Sequence, residues 1–328
     1  MKKIIIAMAA MAAAFTMASC NKELAGQGGN ATAGKSVITA HIENDLAKTF
    51  LEGDDTKGYE VFWSEGDKLF VSDSYFEEWA AEYTLDNASA GSRNGSFGWL
   101  PGDFFMNINE ESPREGPAFV AGNMYIALYP SDIVDMDTGA YIWKTEQTCS
   151  GTAMYIPMVG TAECTEDGAA DFMFANLGGL LRLTVKGTAT VKSITVLANE
   201  PMSGEIAAVI DDDEGNMVAL MLDETDDGAF DTNKYITLDC GDGVGLSSEG
   251  ADFYISMPCH YAIEGTHMVL CGYTGVTITL TDTEGRTCVK KLKDDNQLVI
   301  ERSHITTASF MASEFNDNIP TSNLHPTS

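Results

Sequence analysis

Basic residues are scarce in this sequence of 328 residues. Lysine and arginine together number 19, against 49 aspartates and glutamates, so the formal net charge is −30. An electrostatic field of this sign repels nucleic acids and anionic membrane surfaces, so we expect neither as a partner. Hydrophobic residues still make up 44% of the chain, which is enough to build folded cores. We therefore expect a folded protein that its surface charge keeps dispersed outside the cell.

The sequence also lacks the signatures of common enzymes and cofactor sites. It contains no HExxH zinc motif, no GxSxG elbow, no phosphate-binding loop and no dinucleotide fingerprint. Asp211, Asp213 and Gly215 begin like a calcium loop, but position five carries no oxygen ligand and position twelve is not glutamate. We interpret these acids as a solvated hairpin turn, with calcium binding outside the cell as the alternative. We expect no enzymatic activity, no cofactor and no metal site.

The first hydrophobic run indicates the cellular location of the protein. Residues 4–15 are apolar but too few to span a membrane as a stable helix, and Lys2 and Lys3 precede them. The residues that follow, MASC, resemble a bacterial lipobox that ends at Cys20. We predict a signal peptide over 1–20, acyl (palmitate-type) lipidation of Cys20 and a flexible tether over 21–35. The expected location is the outer membrane, on the cell surface.

Six other cysteines leave the disulfide pairing open, because six thiols allow fifteen arrangements. No CxxC or Cys/His spacing indicates zinc. Several of the six lie inside apolar runs, where a free buried thiol is expected, and a bridge between Cys259 and Cys271 is the alternative. The six are Cys149, Cys164, Cys240, Cys259, Cys271 and Cys288.

Alternating hydrophobicity is densest over residues 176–210. Leu181, Leu183 and Val185 alternate with polar residues, the period of a strand with one buried face. A turn at Gly187 and a returning strand over 191–198 follow. Short strands recur at similar spacing along the chain, with no convincing helix, which predicts antiparallel β-sandwiches. The length favours two domains, and we place them at 36–170 and 171–312, before a polar tail over 313–328.

Several short segments, taken in order, resemble the fimbrillin family of Bacteroidota, which comprises two-domain lipoprotein pilins and their accessory subunits. Each is weak alone, but their order and spacing cover most of the chain after the predicted signal peptide. The segments are the lipobox at 17–20, KTFL at 48–51, VFWSEGDK at 61–68, YIALYP at 125–130, Gln147 with IPM at 156–158, FANLGGLLRL at 174–183, FYISMP at 253–258 and ERSHIT at 301–306.

The resemblance implies an all-β fold of two tandem transthyretin-like sandwiches, and assembly by exchange of strands between subunits. In such pilins a protease removes the first strand, and a strand of a neighbouring subunit fills the groove. Residues 36–43 (SVITAHIE) form the first strand candidate, and losing it would leave unpaired backbone and an apolar groove. The known pilins are cut after an arginine, whereas the first arginine here is Arg93, so Lys35 and Lys48 are the candidate cut sites. The alternative is an uncut anchor, tip or standalone lipoprotein.

Two functional hypotheses follow. The first is a structural surface lipoprotein, a pilus subunit or adhesin whose partners are other pilin subunits and ligands on host or bacterial surfaces. The alternative is a glycan-binding lipoprotein of a nutrient-uptake system, with aromatic side chains stacking on sugars. The candidates for that aromatic platform are Trp63, Trp79, Trp99 and Trp143, together with the eleven tyrosines.

Overall fold

The chain is described from a computed structural model. The residues that it describes are 37–42, 51–54, 58–73, 78–111, 115–135, 141–149, 155–206, 208–211, 217–221, 232–264, 267–293, 296–312 and 315. Within these ranges, no helix is both long and apolar enough to cross a membrane.

Strands dominate the described residues, and the only helical elements among them are two short 3-10 turns at Asn87–Ser89 and Ser131–Ile133. In chain order the strands are β1 (Val37–Ile42), β2 (Leu51–Asp54), β3 (Gly58–Val61), β4 (Lys68–Asp73), β5 (Trp79–Leu85), β6 (Asn94–Gly98), β7 (Phe105–Asn107), β8 (Met124–Tyr129), β9 (Tyr141–Trp143), β10 (Glu146–Thr148), β11 (Met158–Glu163), β12 (Asp171–Asn176), β13 (Gly178–Lys186), β14 (Thr190–Leu197), β15 (Ser203–Ile206), β16 (Ala208–Asp211), β17 (Met217–Leu220), β18 (Thr232–Asn233), β19 (Tyr235–Gly245), β20 (Ala251–Pro258), β21 (His260–Glu264), β22 (His267–Cys271), β23 (Thr277–Asp282), β24 (Thr287–Lys291) and β25 (Ile305–Met311).

The first half of the chain forms a sheet that closes on itself. Its strands follow the order β4-β8-β11-β12-β1-β6-β5, and pairing between β4 and β5 closes a seven-stranded, barrel-like ring. β7 pairs with β5 as an eighth strand outside the ring. Large aromatic side chains fill a core inside this sheet, among them Trp63, Trp79, Tyr83, Phe97, Phe172 and Phe174.

The second half contains two main sheets that share one core. One sheet has the order β10-β19-β14-β23-β24 and the other has the order β20-β13-β25. The buried face of β13, with Leu181 and Leu183, and that of β14, with Ile194 and Val196, contribute to the same hydrophobic cluster. Packing between the two sheets therefore stabilises this half of the molecule.

The closed sheet also packs against this second core. Phe70 on β4, Ile126 and Leu128 on β8, and Val159 on β11 belong to the second cluster, whereas their neighbours in sequence line the interior of the closed sheet. Strands buried on both faces need a nearly continuous run of apolar residues. This requirement explains why β8 reads MYIALY rather than as an alternating strand.

A short excursion of the chain joins the two halves. β8 and β11 lie in the closed sheet, but β9 and β10 between them pair with β15 and β19 of the second half. The buried side chain of Gln147 on β10 donates to the Ser256 carbonyl at 2.8 Å and accepts from the Ser256 amide at 2.9 Å. The side-chain amide of Gln147 therefore bonds to both backbone groups of Ser256. The excursion is thus bonded to β20 as well as to β19.

The prediction of an all-β chain is confirmed, and two finer expectations differ from the structure. β13 and β14 were expected to form a hairpin across Gly187, but they pair with different strands and belong to different sheets. The apolar faces of both strands pack in the same core. The turn at Gly187 therefore connects two sheets that face each other, rather than two neighbouring strands of one sheet. The pairing is also mixed, because β1–β12, β10–β19 and β13–β25 are parallel.

The predicted domain bounds, 36–170 and 171–312, stay a prediction, and so do the two transthyretin-like sandwiches. β12 begins at Asp171 and pairs with β1 and β11 of the closed sheet. β9 and β10, which precede residue 170, pair with strands of the second half. The signal peptide over 1–20 and the tether over 21–35 lie outside the described residues, as does the tail over 313–328 except Phe315.

Candidate interaction site around strand β1

β1 lies between two other strands of the closed sheet. It pairs in parallel with β12, from Thr39 opposite Asp171 to Ile42 opposite Phe174. On its other side it pairs antiparallel with β6, from Val37 opposite Gly98 to His41 opposite Asn94. β1 therefore has hydrogen-bonded neighbours along both sides. Without it, the ring would be open between β6 and β12.

The inner face of β1 carries every second residue of the strand. Ile38, Ala40 and Ile42 are buried, with exposures of 1%, 0% and 5%, whereas Val37 on the other face is 49% exposed. Burying an isoleucine side chain contributes roughly 1.5–3 kcal/mol to stability. The apolar face therefore anchors β1 in the sheet, in addition to the two ladders of backbone hydrogen bonds.

Trp63 lies beneath the centre of β1. Its indole nitrogen donates to the Ala40 carbonyl at 3.4 Å, and its ring meets Phe97 and Phe174 edge-on at centroid distances of 5.0 and 5.5 Å. Phe97 lies opposite Ile38 on β6, and Phe174 lies opposite Ile42 on β12. Trp63 thus connects all three strands from below.

Two small residues make room for this indole. Ala40 lies directly opposite Gly95 on β6. A β-carbon at Gly95 would lie 2.8 Å from the Trp63 ring and 2.6 Å from the Phe97 ring, closer than such atoms approach in proteins. The site is therefore shaped for a strand that carries a small side chain at its centre and larger aliphatic side chains two positions to either side.

Polar side chains join the three strands on the outer face. His41 Nε2 lies 2.7 Å from Asp171 Oδ1, and His41 Nδ1 lies 2.7 Å from Asn94 Oδ1. Thr39 Oγ1 donates to the same oxygen of Asp171. A neutral imidazole can donate from only one ring nitrogen, whereas the protonated ring donates from both. The geometry therefore favours a protonated His41 between Asn94 on β6 and Asp171 on β12.

This arrangement shifts the pKa values of both ionisable groups. The hydrogen bond to Asp171 raises the pKa of the His41 imidazole above its ordinary value of 6.5, against the opposing effect of burial. Burial alone would raise the pKa of the Asp171 carboxyl, but hydrogen bonds from His41 and Thr39 hold that pKa below its ordinary value of 3.8. The shifted pKa values link the stability of the β1 pairing to pH.

We expect the stabilisation of β1 by His41 to weaken at alkaline pH. Because the imidazole pKa is raised, His41 stabilises the fold fully at any pH below the ordinary imidazole pKa. This stabilisation is lost as the pH rises through the folded-state pKa. Because the carboxyl pKa is lowered, Asp171 stabilises the fold fully at any pH above the ordinary carboxyl pKa. This stabilisation is lost as the pH falls through the folded-state pKa. The pair is therefore strongest between about pH 5 and about pH 6.

Urea unfolding of the chain and of a His41→Gln variant tests this. Because the Asp171 side chain is 63% exposed, solvent screens the pair. The loss of unfolding free energy should be greater at about pH 5.5 than at about pH 8.5 by only about 0.5 kcal/mol. His304→Gln is the matched control, because the His304 ring is 65% exposed and lies 3.9 Å from Glu301. Equal losses for His41→Gln at both pH values would contradict the expectation.

The residues proposed from the sequence as processing sites lie outside this geometry. Cys20, Lys35 and Lys48 are not among the described residues, so lipidation and cleavage stay predictions. Their order along the chain is still informative. A cut at Lys35 would fall before β1 and leave it attached, whereas a cut at Lys48 would fall between β1 and β2 and detach it.

The aromatic platform expected for glycan binding does not form from tryptophan. Trp63, Trp79 and Trp143 are 0% exposed and Trp99 is 8% exposed, so each indole belongs to a core. Within the described ranges, no group of three or more histidine, cysteine or acidic side chains could hold a metal ion. Asp211 ends β16, and Asp213 and Gly215, the other residues of the calcium-like sequence, lie outside those ranges.

Proteins similar to this chain are found among the solved structures. Neither a protein-family model nor a curated protein matches the sequence. The solved structures similar to it include proposed cell adhesion proteins and fimbrial proteins, the kinds of protein that the sequence resemblance indicated. A proposed cell adhesion protein from Bacteroides ovatus shares 15% identity at a TM-score of 0.46, over 86% of this chain and 97% of that chain.

Two further structures are similar to a lower degree. A proposed cell adhesion protein from Bacteroides uniformis shares 15% identity at a TM-score of 0.43, over 88% of this chain and 97% of that one. The tip fimbrial protein Mfa3 from Porphyromonas gingivalis shares 14% identity at a TM-score of 0.27, over 80% and 82%. All three TM-scores lie below 0.5 and all three identities lie below 25%.

Proposed function

We propose that this chain is a fimbrillin-like structural protein of the cell surface, a pilus subunit or accessory adhesin that assembles by exchange of strands between subunits. The observation that supports this most directly is the position of β1. It is the first described strand, it lies between β12 and β6, and a segment containing Lys48 follows it. A single cut in that segment would detach a strand from the middle of a sheet.

The site left by β1 would favour a replacement strand over water. The backbone groups of β6 and β12 that now bond to β1 would lose their partners, and unpaired strand edges are templates for another strand. The buried surface under Ile38, Ala40 and Ile42 would also become exposed. Filling two isoleucine positions again would stabilise the complex by roughly 3–6 kcal/mol, so a bound strand should leave slowly.

In this proposal, the anchor, the tether and the cut site within the first 50 residues act one after another. Lipidation at Cys20 holds the exported chain at the outer membrane, and the tether over 21–35 keeps β1 within reach of its sheet. Cleavage at Lys48 then frees the folded part from the anchor and opens the β1 site. A chain that is not cut keeps both β1 and its anchor, which suits an anchoring or terminal subunit.

A protease site placed on one side of β1 or the other tests this proposal. In one variant, residues 44–47 are replaced by the recognition sequence of a specific protease; in the matched control, the same sequence replaces residues 27–33 in the tether. Both proteins are cut, passed through mild denaturant to release any detached strand, and then run on SDS gels without heating. The first should give a ladder of multimers that disappears on boiling, because a cut there detaches β1. The control should stay monomeric, because its β1 remains attached.

The two outcomes that count against the proposal are distinct. Monomers from both variants after complete cleavage would exclude assembly through the β1 site. Equal ladders from both would show that assembly does not require β1 to leave. In either case the sequence resemblance would describe the fold without the assembly.

A further inference from the structure

Two cysteines lie side by side on neighbouring strands of the second half. β10 runs parallel to β19, with Gln147 opposite Leu238 and Thr148 opposite Asp239. Continuing this register by one residue places Cys149 opposite Cys240. The Cys149 amide donates to the Asp239 carbonyl at 2.7 Å, so the backbone ladder extends to the cysteine itself.

The spacing of paired strands suits a covalent bond between these residues. Neighbouring strands lie about 4.8 Å apart, and disulfides join residues whose Cα atoms are about 4.4–6.8 Å apart. The two side chains are on the same side of the sheet and in contact. Their hydrogen bond, and then the burial of Cys240, raise the pKa of the Cys240 thiol. The thiols therefore already touch without any backbone movement.

No other pair among the cysteines considered from the sequence has this arrangement. The bridge between Cys259 and Cys271 was the alternative, but Cys271 lies opposite His260, so Cys259 is offset from it by one position. None of the six described cysteines is joined in a disulfide in this structure. The strand register thus distinguishes the pair Cys149 and Cys240 from the other possible pairings, which the sequence alone could not do.

We propose that Cys149 and Cys240 form a disulfide in the exported protein. The S–H bonds of both thiols break and one Sγ–Sγ bond forms, releasing two protons and two electrons. A thiol–disulfide oxidoreductase in its disulfide form accepts them, and its own S–S bond breaks to give two thiols. The proposal needs the export that the first 20 residues predict, because such bonds persist outside the reducing cytoplasm. It does not depend on strand exchange.

The bond would fasten the excursion between the two halves of the molecule. β10 is the edge strand of the five-stranded sheet, and the next strand along the chain, β11, lies in the closed sheet. A covalent bond to β19 would prevent this three-residue strand from leaving the edge. Because β8 and β11 bracket the excursion, the bond would keep the closed sheet attached to the second half even under load.

Digestion with a glutamyl endopeptidase tests the pairing directly. Cleavage after glutamate places each of the six cysteines on its own peptide; Cys149 falls in 147–163 and Cys240 in 225–249. Protein is recovered from the outer membrane of cells that export it, with free thiols blocked by N-ethylmaleimide at lysis. Mass spectrometry without reduction should find 147–163 joined to 225–249, and reduction should separate them. Recovery of both peptides carrying the blocking group, or joined to other cysteine peptides, would overturn the proposal.

A thermal measurement separates a structural bond from an incidental one. Reducing the purified protein should lower its melting temperature by roughly 5–10 °C. The Cys149→Ser/Cys240→Ser protein should melt at the lower temperature with or without reductant. Cys164→Ser is the matched control, because Cys164 is buried in the core of the closed sheet and its substitution should leave the effect of reductant unchanged. No effect of reductant on the unaltered protein would contradict a bond that fastens β10.

Discussion

Separating β1 from the rest of the chain is expected to shift the fluorescence emission of Trp63 to longer wavelength. The indole now lies fully buried beneath Ala40, to whose carbonyl it donates. Removing β1 would expose the ring to water through the opening between β6 and β12. The measurement uses the variant with the protease site at 44–47, cut while folded and then passed over a sizing column in mild denaturant to release β1.

Adding a peptide with the sequence of residues 36–43 should restore the original emission. A peptide in which Ile38 is replaced by aspartate should bind at least about 100-fold more weakly, because its carboxylate would have to enter an apolar site without a partner. Trp63→Phe is the control protein, in which the other three tryptophans remain in their cores. An equal emission shift in that control, or equal restoration by both peptides, would show that Trp63 does not report on an open site.

Gly178→Ala is expected to lower the free energy of unfolding by about 3 kcal/mol or more. A β-carbon at Gly178 would lie 2.4 Å from the Met257 carbonyl oxygen on the paired strand and 2.6 Å from the Trp143 ring. The oxygen belongs to the backbone of β20 and the ring is fully buried, so neither can move away cheaply. Gly179 is similarly restricted, since its β-carbon would meet the Glu301 carbonyl at 2.3 Å.

Urea or thermal unfolding of the purified variant measures this loss. Gly245→Ala is the matched control in the same half of the chain, because a β-carbon at the end of β19 would meet nothing within 4 Å. The control should unfold within about 0.5 kcal/mol of the unaltered protein. Similar losses for both variants would mean that the glycines matter for backbone conformation rather than for close approach.

Local pattern was enough to predict single strands and some hairpins. The strand candidate at 36–43 is confirmed as β1, whose buried residues alternate along the strand. The sequence DTEG at 282–285 is typical of a turn, and the strands on either side of it, β23 and β24, form an antiparallel pair. Both features depend on side chains and turns within a few residues of each other, which is the information that periodicity carries.

Pairing between distant strands could not be read in the same way. The neighbours of β1 come from β6 and from β12, about 50 and 130 residues further along the chain. Nothing in the sequence near His41 indicates Asp171 or Asn94 as its partners. For the same reason Gly187 was interpreted as a hairpin turn, although β13 and β14 belong to separate sheets. An apolar face is equally suited to pairing within a sheet and to packing across a core.

The candidate site was predictable in part. The sequence pointed to the segment from Cys20 to Leu51 as the place where anchor, tether and first strand meet. It did not reveal that β1 closes a ring of strands, that Trp63 lies beneath it, or that His41 joins three strands. Those features depend on the fold of residues 58–176, where the sequence showed long irregular connections.

The N-terminus of the assembled protein provides the most direct test of the central claim. Multimers that resist SDS but not boiling are isolated from cells that make the protein, and their N-termini are identified by mass spectrometry beside those of the monomers. The account predicts that interior subunits begin after residue 43 and no later than residue 51, so that β1 is absent from each chain. Multimers in which every chain still carries residues 37–42 would contradict it.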